Sequence, residues 1–132
     1  MPGRGVAPRS GKDLEDEVAG LAERLGLQVR RGVKVGRRLW GAERKIDLVL
    51  TEPGQRKSLG IECKFQGGPG TAEEKIPATI ADIAAWPIAG LVVFEGIGFT
   101  ANMRSYLVST GRAVEFSDLE SWLRLFFGLN LP

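Results

Sequence analysis

Three ionisable residues lie inside short apolar segments that are typical of strands. Asp47 interrupts the apolar run 46–50, and Glu62 and Lys64 alternate with apolar residues in the run 61–65. A carboxylate at the centre of a strand is uncommon, and burying it is costly unless it is paired or bound to a metal ion. Oxygen ligands of this kind suit Mg²⁺ or Mn²⁺. The pattern therefore indicates a site for a hard metal ion, with a lysine beside it.

A turn between the two apolar runs must bring these residues together. The segment 52–55, which contains Pro-Gly, predicts that turn, so we expect the two runs to pair as antiparallel strands. Alternation along the second strand puts Glu62 and Lys64 on one face and Cys63 on the other. We therefore interpret the Cys63 side chain as a small core residue, and we expect the carboxylates and the ammonium to converge at one edge of the sheet.

The rest of the pattern predicts an α/β domain with a mixed β-sheet flanked by helices, in the order α-β-β-β-α-β-α-β-α. The predicted helices are 12–25, 71–86, 100–110 and a C-terminal helix from 117, and the predicted strands are 27–38, 46–50, 57–65, 89–95 and 112–116. We expect residues 1–11 to form a basic flexible arm and residues 12–132 to form a single domain.

The residue counts exclude several kinds of chemistry. The 132 residues include no histidine and one cysteine. A Ser-His-Asp or Cys-His nucleophile, a structural zinc site and an HNH-type nuclease centre all need histidines or several cysteines, so none can be built. A disulfide within the chain is also impossible, which indicates a reducing, cytoplasmic location in a bacterial, archaeal or phage-infected cell. The apolar stretches are too short to span a membrane, so we predict no membrane partner.

Positive charge is concentrated in the first third of the chain. Residues 1–45 contain eleven Lys or Arg against six Asp or Glu, whereas residues 46–132 contain seven against ten. Such a stretch often follows a phosphate backbone, so its basic residues are predicted to bind DNA. The predicted DNA-binding residues in this stretch are Arg30, Arg31, Lys34, Arg37, Arg38, Arg44 and Lys45. The alternative is a pair of solvated strands that these charges keep soluble.

The order of these residues resembles that of the PD-(D/E)xK nuclease superfamily, whose members have a helix glutamate, a hairpin aspartate and then E-x-K. The resemblance extends from the first predicted helix to the fourth predicted strand. It implies that Asp47, Glu62 and the backbone carbonyl of Cys63 bind Mg²⁺, and that Mn²⁺ can substitute. It also implies that Lys64 positions or activates water and that Glu15 is an accessory catalytic carboxylate.

Context selects one of several similar motifs. E-x-K occurs three times, at 43–45, 62–64 and 73–75, but only the middle copy lies in a predicted strand one hairpin after an aspartate. The sequence departs from the superfamily at Ile46, where a proline often precedes the aspartate. The alternative interpretation of the middle copy is an ion pair on an exposed strand face, which contributes little to stability.

Four further residues have weaker signals. Lys75, just past a glycine-rich loop, is predicted to contact the scissile phosphate or an adjacent one, and Gln66 is predicted to bind DNA. The alternative for Lys75 is an ion pair within its helix or a solvated side chain. Glu15 lies in an acidic helix start, which favours a helix N-terminus equally well. Trp40 in the basic hairpin is a candidate for stacking on a base, and core packing is its alternative.

Among one-domain members of the superfamily, the size and basic N-terminal third are most similar to archaeal-type Holliday junction resolvases. This implies a homodimer that makes paired nicks in four-way DNA junctions. The last helix supports a dimer, since it is apolar over more than one face, although closing a small core would have the same pattern. The alternatives are a restriction-like or phage DNA-processing nuclease of the same superfamily and a non-catalytic DNA-binding subunit.

Overall fold

The described part of the chain forms four α-helices and five strands in a computed structural model. It describes the backbone of residues 10–37, 43–68 and 72–130, and the side chains of 10–36, 44–68 and 76–130. The elements are α1 (Gly11–Arg24), β1 (Gln28–Arg37), β2 (Glu43–Glu52), β3 (Lys57–Phe65), α2 (Ala72–Ala84), β4 (Ala89–Glu95), α3 (Ala101–Ser109), β5 (Ala113–Glu115) and α4 (Leu119–Phe127). Their order is the one predicted.

The strands form one mixed sheet in the order β1-β2-β3-β4-β5. The first three strands are antiparallel neighbours, whereas β3, β4 and β5 are parallel. The parallel strands are joined through α2 and α3, and the antiparallel strands through short connections. The predicted fold class, an α/β mixed sheet flanked by helices, is confirmed.

Each face of the sheet has its own apolar core. On one face α1 and α4 pack against residues that include Leu48, Ile61 and Cys63, all at most 8% exposed. On the other face α2 and α3 pack against residues that include Val49 and Phe94. Both cores lie within the described part of the chain, and β3 and β4, buried between them, form the rigid centre of the molecule.

The β1–β2 hairpin changes faces at Asp47. In a regular strand Ile46 and Leu48 would share a face, but Ile46 packs on the α2 side and Leu48 on the α1 side. Val29 and Val33 on β1 are split in the same way. Between them Gly32 has φ +60°, a left-handed conformation that glycine adopts at little cost. The change of face therefore puts Asp47 at a corner of the sheet.

The ends of α1 and α4 differ from the prediction. The side chain of Ser10 caps α1 by accepting a hydrogen bond from Asp13 N at 3.0 Å, so the last residues of the predicted arm belong to a helix start. Residues 1–9 lie outside the described residues. α4 begins at Leu119 rather than at 117, because a 3-10 turn at 116–118 precedes it.

The apolar residues of α4 are mostly used inside the chain. Leu119, Leu123 and Phe127 are fully buried, and Phe126 is covered by Lys57, whose Nζ lies 4.2 Å from the ring centroid. Leu125, 73% exposed, is the large apolar side chain of this helix that remains outside. This packing favours closure of a small core as the reason for the apolar pattern.

None of the helices described is long and apolar enough to cross a membrane.

Candidate active site

Asp47 lies where the pairing between β2 and β3 ends. The register pairs run from Glu52 with Lys57 to Leu48 with Ile61. One residue further along β2, the Oδ2 of Asp47 accepts a hydrogen bond from the backbone N of Cys63 at 2.9 Å. The carboxylate is therefore held in the plane of the sheet by the strand that carries the other predicted site residues.

Glu62 and Lys64 extend from β3 on the face that α2 covers. Gly60 marks this face, because a Cβ there would lie 2.8 Å from the ring of Trp86 at the end of α2. The Nζ of Lys64 lies 3.4 Å from the Oε2 of Glu62, and these side chains are 31% and 20% exposed. The ion pair is thus partly withdrawn from water but open at one side.

Burial raises the pKa of both carboxylates, and repulsion from Asp47 raises the pKa of Glu62 further. Burial is the larger cause for Glu62, whose pKa rises from 4.5 to about 7, with repulsion from Asp47 next and a partial offset from Lys64. Burial also raises the pKa of Asp47, against the opposing effects of the Cys63 amide and Lys64. A bound cation would offset the burial and the repulsion that make these carboxylates costly to ionise.

A further carboxylate on α2, which sequence reasoning missed, acts on the site electrostatically. Asp82 contributes to the raised pKa of Glu62, and its Oδ1 lies 3.1 Å from the Nε of Arg44 on β2. Asp82 follows an alanine in an ordinary helical pattern, so no local signal distinguishes it. The pair joins α2 to the strand that carries Asp47.

Glu15 lies on the other side of β3. Its charge raises the pKa of the Cys63 thiol, an effect smaller than those of burial and Asp47, and its Oε1 lies 3.5 Å from Arg31. Among the described residues, no three His, Cys, Asp or Glu side chains form a group that could hold a metal ion. Glu15 is therefore not a third ligand beside Asp47 and Glu62 in this arrangement.

The two carboxylates fit a magnesium ion that keeps much of its water. Mg²⁺ is commonly bound through one or two protein carboxylates, with water and substrate oxygens completing its shell. Asp47 uses one oxygen for the Cys63 amide and keeps the other for a cation. The donor atoms of Asp47 and Glu62 are all oxygens, and both carboxylates have raised pKa values, which agrees with a Mg²⁺ site of this kind. Cys63 itself is buried, and burial raises the pKa of its thiol, so the side chain supplies no reactive thiolate.

The profile of the PD-(D/E)XK nuclease superfamily domain matches residues 6–122. The chain belongs to this superfamily. The match spans every element from α1 to β5 and the start of α4, so it includes the strands that carry Asp47, Glu62 and Lys64. A search of curated protein sequences finds no match. Nucleases of this superfamily usually use divalent metal ions, which agrees with the carboxylate pair.

A solved structure shares the fold. It is described as the crystal structure of a protein of unknown function, AF1548, and it aligns with a TM-score of 0.54 and 21% sequence identity. The alignment covers 78% of this chain and 56% of that chain. This chain therefore spans little more than half the length of its structural neighbour, and the likeness shows the fold alone.

The predicted DNA-binding residues of this superfamily member have different surroundings. Arg30, Lys34 and Lys45 are exposed, and Lys34 lies directly opposite Lys45 in the register of β1 and β2. In contrast, Arg31 is bound to Asp16 on α1 at 2.7 Å. Arg44, which pairs with α2, is about three-quarters buried. Arg30, Arg31, Lys34 and Lys45 are thus the exposed residues of the described basic cluster, and Arg31 among them is held by α1.

Gln66 is not at the surface where a DNA contact was expected. It is 7% exposed, and its Nε2 donates to the backbone O of Gly98 at 3.1 Å. The prediction that Gln66 binds DNA stays a prediction. The contacts described for its side chain are internal, and a single sequence could not distinguish this from a surface role in a glycine-rich loop.

Four predicted residues cannot be placed in full. Arg38 and Trp40 lie outside the described residues, and the side chains of Arg37 and Lys75 lie outside the described side chains. Their predicted roles remain predictions.

Proposed function

We propose that this protein is a metal-dependent DNA endonuclease whose reaction centre is Asp47, Glu62 and Lys64. The observation that carries the proposal is the junction of β2 and β3, where the Asp47 carboxylate binds the Cys63 amide beside the Glu62–Lys64 pair. Superfamily membership supports phosphodiester hydrolysis as the reaction.

Each residue has a chemical role in this proposal. Asp47 and Glu62, with the backbone carbonyl of Cys63, hold Mg²⁺, for which Mn²⁺ can substitute. When bound, the ion supplies charge neutralisation on the phosphate oxygens and acidification of a water molecule. Lys64 orients the water nucleophile by hydrogen bonding and offsets negative charge that develops on the phosphate. The amide of Cys63 keeps Asp47 in place while the phosphate changes geometry.

The substrate is proposed to be branched DNA, in particular the four-way junction. The exposed basic residues of β1 and β2 contact phosphates, which position a duplex without specifying its sequence. Because the described chain carries one reaction centre, two nicks placed symmetrically require two copies, and a homodimer is part of the proposal. Lys75 and Glu15 have accessory roles in the same proposal, at the phosphate and on the far side of β3.

Cleavage of defined DNA substrates tests the proposal. Purified protein is incubated with a four-way junction, a linear duplex, a flap and a single strand, in Mg²⁺, Mn²⁺ or EDTA. We expect cleavage in either metal, none in EDTA, and the highest rate on the junction. Equal rates on junction and duplex would instead indicate a restriction-like or DNA-processing enzyme.

Variants of similar size separate the chemistry from folding. Asp47→Asn, Glu62→Gln and Lys64→Met are expected to lower the cleavage rate at least about a hundredfold while DNA affinity changes little. Glu120→Gln, which loses an exposed carboxylate on α4, serves as the control and should cleave normally. Full activity in any of the three variants would contradict the assigned centre, and a monomeric mass in the presence of junction DNA would contradict the dimer.

A further inference from the structure

The loop between β4 and α3 is fitted closely against the end of β3. Gly96 has φ +122°, and a Cβ on it would lie 2.1 Å from the backbone O of Gln66. A Cβ on Gly98 would lie 2.3 Å from the backbone O of Gly68. The N–H of Gly98 donates to the O of Gln66 at 2.8 Å. Two glycines thus let the backbones of the two loops touch.

Side chains hold the same loop from both sides. The buried Gln66 amide donates to Gly98 from the β3 side. From α3, the guanidinium of Arg104 donates to the O of Gly96 at 2.6 Å and to the O of Phe99 at 3.2 Å. Arg104 is itself paired with the carboxylate of Glu115 on β5. A loop with this many partners has little freedom to move.

Ile97, between the two glycines, is the side chain that this fixed loop presents to solvent. It is 89% exposed, more than any other large apolar side chain in the described part of the chain. A single exposed apolar residue is ordinary by itself. Here, however, the backbone around it is already ordered, so contact with a partner would cost little conformational entropy.

The position of Ile97, near the proposed reaction centre, favours DNA as that partner. Lys64 is the register partner of Phe94 in the parallel pair β3 and β4. Ile97 precedes Gly98, whose N–H donates to the O of Gln66, two residues after Lys64, so the loop lies at the end of β3 that carries Lys64. Phe99 continues the same loop into the core under α2 and α3, the side on which Glu62 and Lys64 extend. Since this loop adjoins the strand end that carries Lys64, DNA with a phosphate at the proposed reaction centre lies beside Ile97.

We propose that Ile97 is an apolar wedge that contacts the DNA beside the cleaved phosphate and partly unstacks a base step. Apolar side chains inserted between base pairs are an established means of bending a duplex. Gln66 acts as a positioning residue that holds the wedge in place. The inference rests on the proposed nuclease function, since it takes the DNA position from the reaction centre.

The experiment measures DNA binding and base unstacking without cleavage. Four-way junctions carry 2-aminopurine, which becomes brighter when unstacked, next to the cleavage position, and Ca²⁺ replaces Mg²⁺ as a divalent ion of looser geometry. Ile97→Ala is expected to bind about tenfold more weakly, as expected for the loss of one buried apolar side chain, and to lose the fluorescence increase. Ile97→Leu should retain both, and Leu125→Ala, which removes an exposed apolar side chain from α4, should behave like the wild type.

The outcomes separate this inference from the proposed function. If Ile97→Ala bound DNA and unstacked the base as the wild type does, the proposed role of Ile97 would be overturned while the proposed nuclease function would stand. An altered mass of Ile97→Ala with unchanged DNA binding would assign the residue to a contact between copies and would also overturn it. A wild-type protein that binds and cleaves no DNA would overturn the proposed function itself. Gln66→Leu, at unchanged thermal stability, should lose the fluorescence increase and keep most of the affinity.

Discussion

Replacement of Glu62 by glutamine is expected to stabilise the metal-free protein at alkaline pH. Burial and the nearby Asp47 raise the pKa of Glu62 from 4.5 to about 7. The folded protein therefore retains a proton that the unfolded chain has released, so stability decreases as the pH rises from 4.5 to about 7 and then levels off. This difference corresponds to about 3 kcal/mol of unfolding free energy. With the side chain only 20% exposed, solvent screening removes a small part of it.

Urea denaturation in EDTA provides the assay. Wild type and Glu62→Gln should have similar stability near pH 5, and the variant should be more stable by about 2–3 kcal/mol above pH 8. Glu120→Gln, which removes a carboxylate from an i,i+4 ion pair on α4, should change stability by at most about 0.5 kcal/mol. Added Mg²⁺ should stabilise the wild type selectively. If the unfolding free energies of wild type and Glu62→Gln depended on pH in the same way, the claim that ionising Glu62 destabilises the folded protein would be refuted.

Three further variants test the surface and the packing of the fold. Lys45→Ala should weaken binding to all DNA sequences and lower the slope of log affinity against log salt by about 1, measured by fluorescence anisotropy; an unchanged slope would exclude a phosphate contact. Gly90→Ala should destabilise the fold by about 1–3 kcal/mol in thermal unfolding, because its Cβ would lie 2.8 Å from the ring of Trp86. A Cβ at Gly20 on α1 would meet only the flexible Arg24 side chain, so Gly20→Ala should instead stabilise the fold by about 0.5–1 kcal/mol. Equal changes in thermal stability for Gly90→Ala and Gly20→Ala would contradict this packing.

The helices and strands were predictable because the spacing of apolar residues shows which side of each helix or strand faces a core. The helical spacing of Leu14, Val18 and Leu21 corresponds to buried positions on α1, and the continuous apolar run of β4 corresponds to a strand buried on both faces. The start of β2 was missed because Glu43, Arg44 and Lys45 carry no apolar pattern. These residues pair with the end of β1 through the backbone instead.

The candidate site was predictable where a charged residue lay among apolar ones. Asp47 stood out in an apolar run, and the alternation of Glu62 and Lys64 is sufficient to put them on one face. The contribution of Asp82 and the burial of Gln66 depend on how α2 and two loops pack, which no short segment encodes. The face change at Gly32 and Asp47 is likewise a property of the paired strands.

The proposed reaction centre lies where the backbone pairing of β2 and β3 ends. Leu48 and Ile61 form the last register pair of β2 and β3, and both are fully buried. Beyond them the Asp47 carboxylate takes the Cys63 amide, so an ionisable group replaces part of the ladder and brings its charge close to Glu62. The energetic cost of that charge is local, and the two cores on either side offset it. Two kinds of variant should therefore behave differently. Neutral substitutions of the two carboxylates should abolish cleavage and increase stability, whereas truncation of Leu48 should mainly decrease stability.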